Sequence, residues 1–226
     1  MKDAPRIRGS LPVRVVLLFI GLFLIAAAIV ALLQSRLGLA PWDVFHLGVA
    51  AHTPLTIGYV SIVVGLAIAC VSWLLGQPPG FGTVANAVAV GLIIELLRAQ
   101  GAVARMAQSP LPERCVLLVG GVALFGVGSA LYIGAGLGAG PRDSLMLVLS
   151  KRTGRRIGLV RGLMEIAVLA AGWLLGGTVG LGTVAVALLI GPCVEASFWL
   201  LRRTGLAEPA TPSTAVSAAP FGAEPL

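Results

Sequence analysis

The stretch Gly38-Leu39-Ala40-Pro41-Trp42-Asp43 decides the fold, because a related stretch, Gly138-Ala139-Gly140-Pro141-Arg142-Asp143, follows 100 positions later. The match continues in both directions without a gap, and it is densest between residues 73–87 and 173–187. The chain is therefore a tandem duplication, and at this repeat length a duplication is typical of a membrane unit rather than a solenoid. The two copies are membrane repeat 1, residues 11–100, and membrane repeat 2, residues 111–200.

The composition indicates an integral membrane protein. The 226 residues are 58% hydrophobic and 11% charged, whereas soluble domains are about 25% charged. The formal charge of +7 does not indicate a nucleic-acid partner, because the basic residues lie between apolar segments, where they face lipid headgroups. Cys70, Cys115 and Cys193 lie singly in apolar runs, so we expect small apolar fillers rather than disulfides or metal ligands.

Six apolar stretches are long enough to cross a bilayer, which requires about 17–25 residues. They are residues 15–34, 57–76, 81–98, 115–134, 157–176 and 181–201. Each repeat therefore contributes three spans, and the predicted fold is an all-α membrane protein with about six transmembrane helices.

Between the first and second spans of each repeat, residues 35–56 and 135–156 are too polar or too short to cross alone. Pro41 suits the first turn of a helix, and Asp43 lies close enough to the helix start to favour its dipole. We expect short amphipathic helices near 41–52 and 141–152. A dozen residues cover only about 18 Å, so these helices are interfacial or re-entrant.

The second and third spans of each repeat are joined by Gly/Pro-rich turns at 76–82 and 176–182, which predicts two antiparallel hairpins. Before the first span, residues 1–14 form a basic segment. After the last span, residues 204–226 are rich in Ala, Pro, Ser and Thr without periodicity, which predicts a disordered C-terminal tail.

An odd number of spans per repeat places the two repeats in opposite orientations in the membrane. The charges agree: the loop that holds Asp43 contains Arg36 as its single basic residue, whereas its duplicate is densely basic, with Arg142, Lys151, Arg152, Arg155 and Arg156. The positive-inside rule then places both the N-terminus and the C-terminus in the cytoplasm. Inverted-topology repeats are a recurrent plan of transporters.

Several of these residues also form a family pattern. They are Pro41-Trp42-Asp43, Gly58 and Gly76-x3-Gly80-x-Gly82-Thr83-x2-Asn86, with a weaker second copy at Pro141-Arg142-Asp143, Gly158 and Gly180-x-Gly182-Thr183. On these residues the chain resembles the YitT/YczE-type family of bacterial integral membrane proteins. The resemblance implies a multi-pass fold in a bacterial cytoplasmic membrane and little about a substrate. The second copy departs at Arg142 for Trp42 and at Val186 for Asn86, so a role of Trp42 or Asn86 belongs to one half.

Polar residues inside a bilayer are costly and need a reason. Glu165 lies about half way along the fifth span, with Arg161 one turn earlier on the same face. The pair either neutralises itself locally or takes part in substrate binding or proton coupling; a third interpretation is a shallow interfacial location.

The remaining acidic candidates are Glu95, Glu195, Asp43 and Asp143. Glu95 has Arg98 three residues on, so its charge could lie in water at the interface, whereas Glu195 has no cation nearer in sequence than Arg202. Asp43 and Asp143 are either helix-capping residues or part of a site at which helix N-termini meet a ligand.

Asn86, Thr83 and Thr183 lie early in helices, where they either bond a neighbouring helix or, with Trp42, line a polar site. His46 and His52 lack companions at ligand spacing, so no metal site is predicted. No Ser/His/Asp grouping or cofactor motif stands out, so neither an enzyme nor a cofactor is predicted.

The sequence thus favours a small secondary transporter or permease for an unknown small solute or ion, embedded in the lipid bilayer of the cell membrane. The alternative is a non-transporting accessory protein that binds a protein or lipid partner. Both functions are compatible with a homo-oligomer.

Overall fold

The computed structural model describes residues 6–100 and 109–208. These residues form eight helices and two short strands. In chain order the elements are β1 (Arg6–Ile7), α1 (Leu11–Ser35), α2 (Pro41–Ala51), α3 (Ile57–Leu74), α4 (Phe81–Ala99), α5 (Leu111–Gly134), α6 (Pro141–Thr153), α7 (Ile157–Leu174), α8 (Leu181–Arg203) and β2 (Ala207–Glu208).

Six helices, α1, α3, α4, α5, α7 and α8, are long and apolar enough to cross a membrane, which confirms the predicted spans. Helices α1 and α5 begin at Leu11 and Leu111 rather than near residues 15 and 115, because proline occupies their first turns. The first turn has backbone N–H groups without helical partners, so the missing N–H of proline costs nothing there.

Helices α1 and α5, which are equivalent in the two repeats, pack antiparallel at the centre of the molecule. Gly21 of α1 lies directly against the backbone of Tyr132, and Gly121 of α5 lies against Leu32. At one end, Nε of Arg14 donates to the carbonyl of Ala135 at 2.7 Å, and at the other, Nε of Arg114 donates to the carbonyl of Ser35 at 2.7 Å. Each arginine thus satisfies carbonyl groups at the end of its partner helix.

The short helices α2 and α6 each pack on the opposite repeat, α2 against α7 and α6 against α3. Pro141 lies against Gly65 in the middle of α3, and Arg152 donates to the carbonyl of Leu75 just past its end, at 3.0 Å. Helix α6 therefore begins beside the middle of α3 and runs back to its end.

The structure corrects the amphipathic character predicted for these two helices. Residues 41–50 and 141–150 are all at least partly buried, and exposure is confined to the last turns. The exposed residues of each short helix therefore lie at its C-terminal end and not along one face, because the N-terminal end is inserted into the protein.

The predicted hairpin turns form, with Gly76 and Gly176 in the left-handed region at φ +100° and +80°. Only the first hairpin is closed, however. Helix α3 packs along α4, whereas in the described part of the chain α7 and α8 make almost no contact with each other. The prediction of two equivalent hairpins is therefore wrong for the second one.

The segments that flank the helices are joined by β1 and β2, which pair antiparallel, with Arg6 opposite Glu208 and Ile7 opposite Ala207. The beginning of the predicted disordered tail is therefore ordered at residues 207–208, because its backbone is hydrogen bonded to the segment before α1. The rest of that prediction, residues 209–226, and residues 1–5 of the predicted basic N-terminal segment lie outside the described residues.

Candidate functional site

A cavity of about 760 Å³ lies among the spanning helices. Its wall is apolar where α1, α3 and α4 contribute residues such as Ile25, Ile68 and Val90. It is charged where α6, α7 and α8 contribute, through Arg142, Asp143, Arg161, Glu165, Glu195 and Arg202. The volume and the mixture of apolar wall with few convergent polar groups are typical of small-molecule sites.

The N-terminal ends of α2 and α6 meet at this cavity. The Arg142 guanidinium carbon lies 4.8 Å from the centroid of the Trp42 ring, a cation–π arrangement. The same guanidinium lies 3.9 Å from Oδ1 of Asp43, whose side chain is 2% exposed, while the Arg142 side chain remains 34% exposed. Asp43 thus lies behind the wall, and Arg142 connects it to the cavity.

Three buried polar atoms near this meeting point have no hydrogen-bond partner among the described residues. They are Oδ2 of Asp43, Nδ1 of His46 and the hydroxyl oxygen of Tyr132. Nδ1 of His46 lies 3.7 Å from Oδ1 of Asp43, too far for a hydrogen bond. An unsatisfied buried polar group costs about 1–3 kcal/mol, so the cluster favours occupation by a polar ligand or water.

Further along the cavity, Nε of Arg161 donates to Oε1 of Glu165 at 3.1 Å, within α7. Asp143 and Glu195 line the same space, and neither forms an ion pair with another described residue. The cavity therefore contains one internally neutralised pair and two carboxylates without a fixed counter-ion.

The structure brings together most of the predicted site residues. Glu165, Arg161, Asp143, Glu195, Asn86 and Trp42 line the cavity. Asp43 does not line the cavity but contacts Arg142, which does. Asp43 and Asp143 lie in the first turns of α2 and α6, where a carboxylate favours the helix dipole, but neither is the N-cap, which is Ala40 or Gly140, and neither makes a side-chain capping hydrogen bond.

Glu95, Thr83 and Thr183 lie outside the cavity. Glu95 accepts a hydrogen bond from the Gly58 N–H at 2.9 Å and lies 3.6 Å from Arg98. Thr83 donates to the carbonyl of Ala139, and Thr183 accepts from the Leu39 N–H at 3.2 Å. Both threonines thus bond the loop that precedes a short helix, rather than a neighbouring helix or a ligand.

Sequence reasoning missed Arg142, Tyr132 and Arg202 as cavity residues, and it weighed His46 solely as a metal ligand. The signal for Arg142 was present, because it replaces Trp42 at the equivalent position. Nothing local marks Tyr132, which reaches the site through the packing of α5. In residues 6–100 and 109–208, no three His, Cys, Asp or Glu side chains are grouped as metal ligands would be.

Six spanning helices around a partly charged cavity define a multi-pass membrane protein. The chain belongs to the family of unknown function DUF6198, whose model matches residues 12–197. It is 36% identical over 175 residues to the uncharacterized membrane protein YczE of Bacillus subtilis (strain 168), covering 76% of this chain and 80% of that relative.

A second relative is an uncharacterized protein of Haemophilus influenzae, 38% identical over 163 residues, with 71% of this chain and 72% of the relative covered. No solved structure gives a significant match. The relationship to a YczE-type family, which the sequence motifs indicated, is confirmed.

Proposed function

We propose that the protein is a small secondary transporter whose two repeats have inverted topology and enclose a central solute site. The observation that carries this proposal is the cavity itself. A charged side chain at bilayer depth costs at least about 2.5–3.5 kcal/mol on insertion scales, so packing alone gives no reason to place several around one space.

The inverted arrangement is supported by the antiparallel packing of α1 on α5 and by the reciprocal bonds of Arg14 and Arg114. The exchange of short helices supports it too, because each repeat supplies a helix that packs on a span of the other. Transporters of this plan bind substrate near the bilayer midplane, where the ends of broken or re-entrant helices meet.

We propose that the solute binds where α2 and α6 begin. Backbone N–H groups at helix N-termini and the Arg142 guanidinium favour an acidic group of a ligand. Asp143 and Glu195 leave negative charge for a basic group or a coupling cation. The pairing of β1 with β2 brings together the segments before α1 and after α8, and the basic residues of these segments favour the cytoplasmic side.

The test is a thermal-shift screen of detergent-purified protein against libraries of metabolites and ions, because preferential binding to the folded state raises apparent stability. Compounds that raise the melting temperature are then assayed for saturable uptake into proteoliposomes. Binding and uptake support the proposal. The accessory-protein alternative is favoured by the gap between α7 and α8, which make almost no contact with each other. It predicts no uptake together with a stable copurifying protein or lipid.

A further inference from the structure

The two hairpins of the molecule differ at one pair of glycines. In the first hairpin, Gly58 of α3 and Gly91 of α4 touch: a Cβ built on either would lie 2.5 Å from the carbonyl oxygen of the other. Real Cβ atoms do not approach that closely, so a larger residue at either position would separate α3 from α4. Small residues are what allow the backbones of membrane helices to approach.

The same glycines recur in the second hairpin as Gly158 and Gly191, where they touch nothing. A Cβ built on either meets no other atom within 4 Å, and the same holds for Gly162, the counterpart of Ile62. A glycine in a helix interior costs about 0.5–1 kcal/mol relative to alanine. In the described conformation no helix contact offsets that cost at Gly191, although the following residue is Pro192, whose ring favours a preceding residue without a Cβ.

The carboxylate of Glu95 takes part in the same contact between α3 and α4. Oε1 of Glu95 accepts a hydrogen bond from the Gly58 N–H at 2.9 Å, and this N–H is one of the donors that a helix start leaves without a helical partner. The counterparts are Glu195 and the N–H of Gly158. Glu195 lines the cavity and has no partner among the described residues.

The beginnings of α4 and α8, in contrast, are anchored identically. The Gly82 N–H donates to the carbonyl of Leu137 at 2.8 Å, and the Gly182 N–H donates to the carbonyl of Leu37 at 2.8 Å. The hairpins therefore share their turn ends and differ towards the far ends of their helices. Helix α8 is also held to α5, because the backbone of Cys193 lies against Gly126. The part of the second hairpin that is free to move is therefore the largely exposed N-terminal half of α7.

We propose that α7 and α8 form a gate that closes over the cavity, with Gly158 against Gly191 and with Glu195 accepting a hydrogen bond from the Gly158 N–H. The first hairpin provides the geometry of the closed form. This gate controls access to the solute site between α7 and α8. Its role therefore rests on the proposed transport function.

The test is a disulfide that can form only when the gate is closed. Cysteines replace Gly162 and Gly191, because Ile62, the counterpart of Gly162, supplies the atom nearest to a Cβ built on Gly91. Both positions face open space, so the cysteines fit the described conformation. The background carries Cys70→Ser, Cys115→Ser and Cys193→Ala. A disulfide requires Cα atoms within about 7 Å of each other.

The protein is oxidised with copper phenanthroline in proteoliposomes, denatured, and treated with a maleimide that carries polyethylene glycol. An open chain takes two tags, and a cross-linked chain takes none. The matched control carries Gly162→Cys with Ala196→Cys, because the counterpart Leu96 is 58% exposed on the outer face of α4. We expect most of the test pair to lose both tags while the control pair keeps them.

Glu195 is tested in the same assay. Glu195→Ala should slow cross-linking about fivefold, the effect of one lost hydrogen bond on the closed population. Glu195→Gln retains a carbonyl acceptor and should cross-link at nearly the parent rate. Test-pair labelling equal to that of the control would overturn the gate, and so would cross-linking only between two copies, seen as a dimer on a non-reducing gel. Monodispersity in size-exclusion chromatography verifies that each variant folds.

The cross-link reports closure without any solute, so the two proposals can fail separately. Closure in a protein that transports nothing would contradict the transport function and retain the gate. Saturable uptake by a protein whose test pair never cross-links would contradict the gate and retain the transport function.

Discussion

Trp42 and Arg142 occupy the same position in the two repeats, and they touch each other, the guanidinium carbon lying 4.8 Å from the indole centroid. A position that contacts its own counterpart lies where the two repeats meet. The contact therefore marks the place at which the short helices of both halves converge, with one ring and one cation facing each other.

Arg142→Gln should destabilise the protein by about 2–4 kcal/mol, because it leaves the carboxylate of Asp43 buried without its counter-ion. The double variant with Asp43→Asn should recover most of that loss, since both charges are then removed. Unfolding in SDS, followed by far-UV circular dichroism, measures the difference. Equal instability of the single and double variants would show that the two side chains are not coupled.

Gly172→Ala should lower the thermal stability, because a Cβ built there lies 2.5 Å from the backbone nitrogen of Phe45 in α2. The expected cost is about 1–3 kcal/mol. Gly162→Ala in the same helix is the matched control, since its Cβ meets nothing within 4 Å. The control should gain about 0.5 kcal/mol from helix propensity. Similar melting temperatures for both variants would contradict the tight α2–α7 contact.

Ala51→Cys and Lys151→Cys should be labelled from opposite sides of the membrane. These residues are equivalent in the two repeats, and both are exposed at the ends of the short helices. Gly48 is unsuitable for this purpose because it packs against Gly172. In a background without native cysteines, an impermeant maleimide added to intact cells should reach position 51, and position 151 should react only after permeabilisation. Labelling of both from one side would contradict inverted topology.

Glu165→Gln alone should preserve expression and monodispersity but remove the thermal shift caused by a transported solute. The structure places Glu165 on the cavity wall, 3.1 Å from Arg161. If the two charges merely neutralise each other, the double variant with Arg161→Leu should respond to the solute like the parent. The three proteins are compared in one thermal-shift assay. An unchanged response in both variants would exclude Glu165 from the site.

The duplicated pattern was sufficient to predict the six spans and the two short helices, because hydropathy and the placement of Pro41 and Pro141 are local properties of the sequence. It also identified most charged residues of the cavity, since charges within apolar stretches are conspicuous. The difference between the hairpins could not be predicted, because Gly58 and Gly158 are the same residue in nearly the same context. Whether a glycine touches another helix depends on the conformation of the whole molecule.

The roles of Asp43 and Thr83 could not be predicted for the same reason. Each belongs to a motif that is compatible with several roles, and only the neighbouring chain segments determine which role is realised. Asp43 faces a cation supplied from the other repeat, and Thr83 bonds a loop that lies 56 residues further along the chain.

The bonds of Arg14 and Arg114 have a consequence for biosynthesis. When α1 leaves the ribosome, Arg114, which donates to the carbonyl groups of Ser35 and Arg36 in the folded protein, has not yet been translated. The end of α1 therefore gains these two bonds only after the second half has been synthesised, and a truncated chain that ends before residue 111 lacks them.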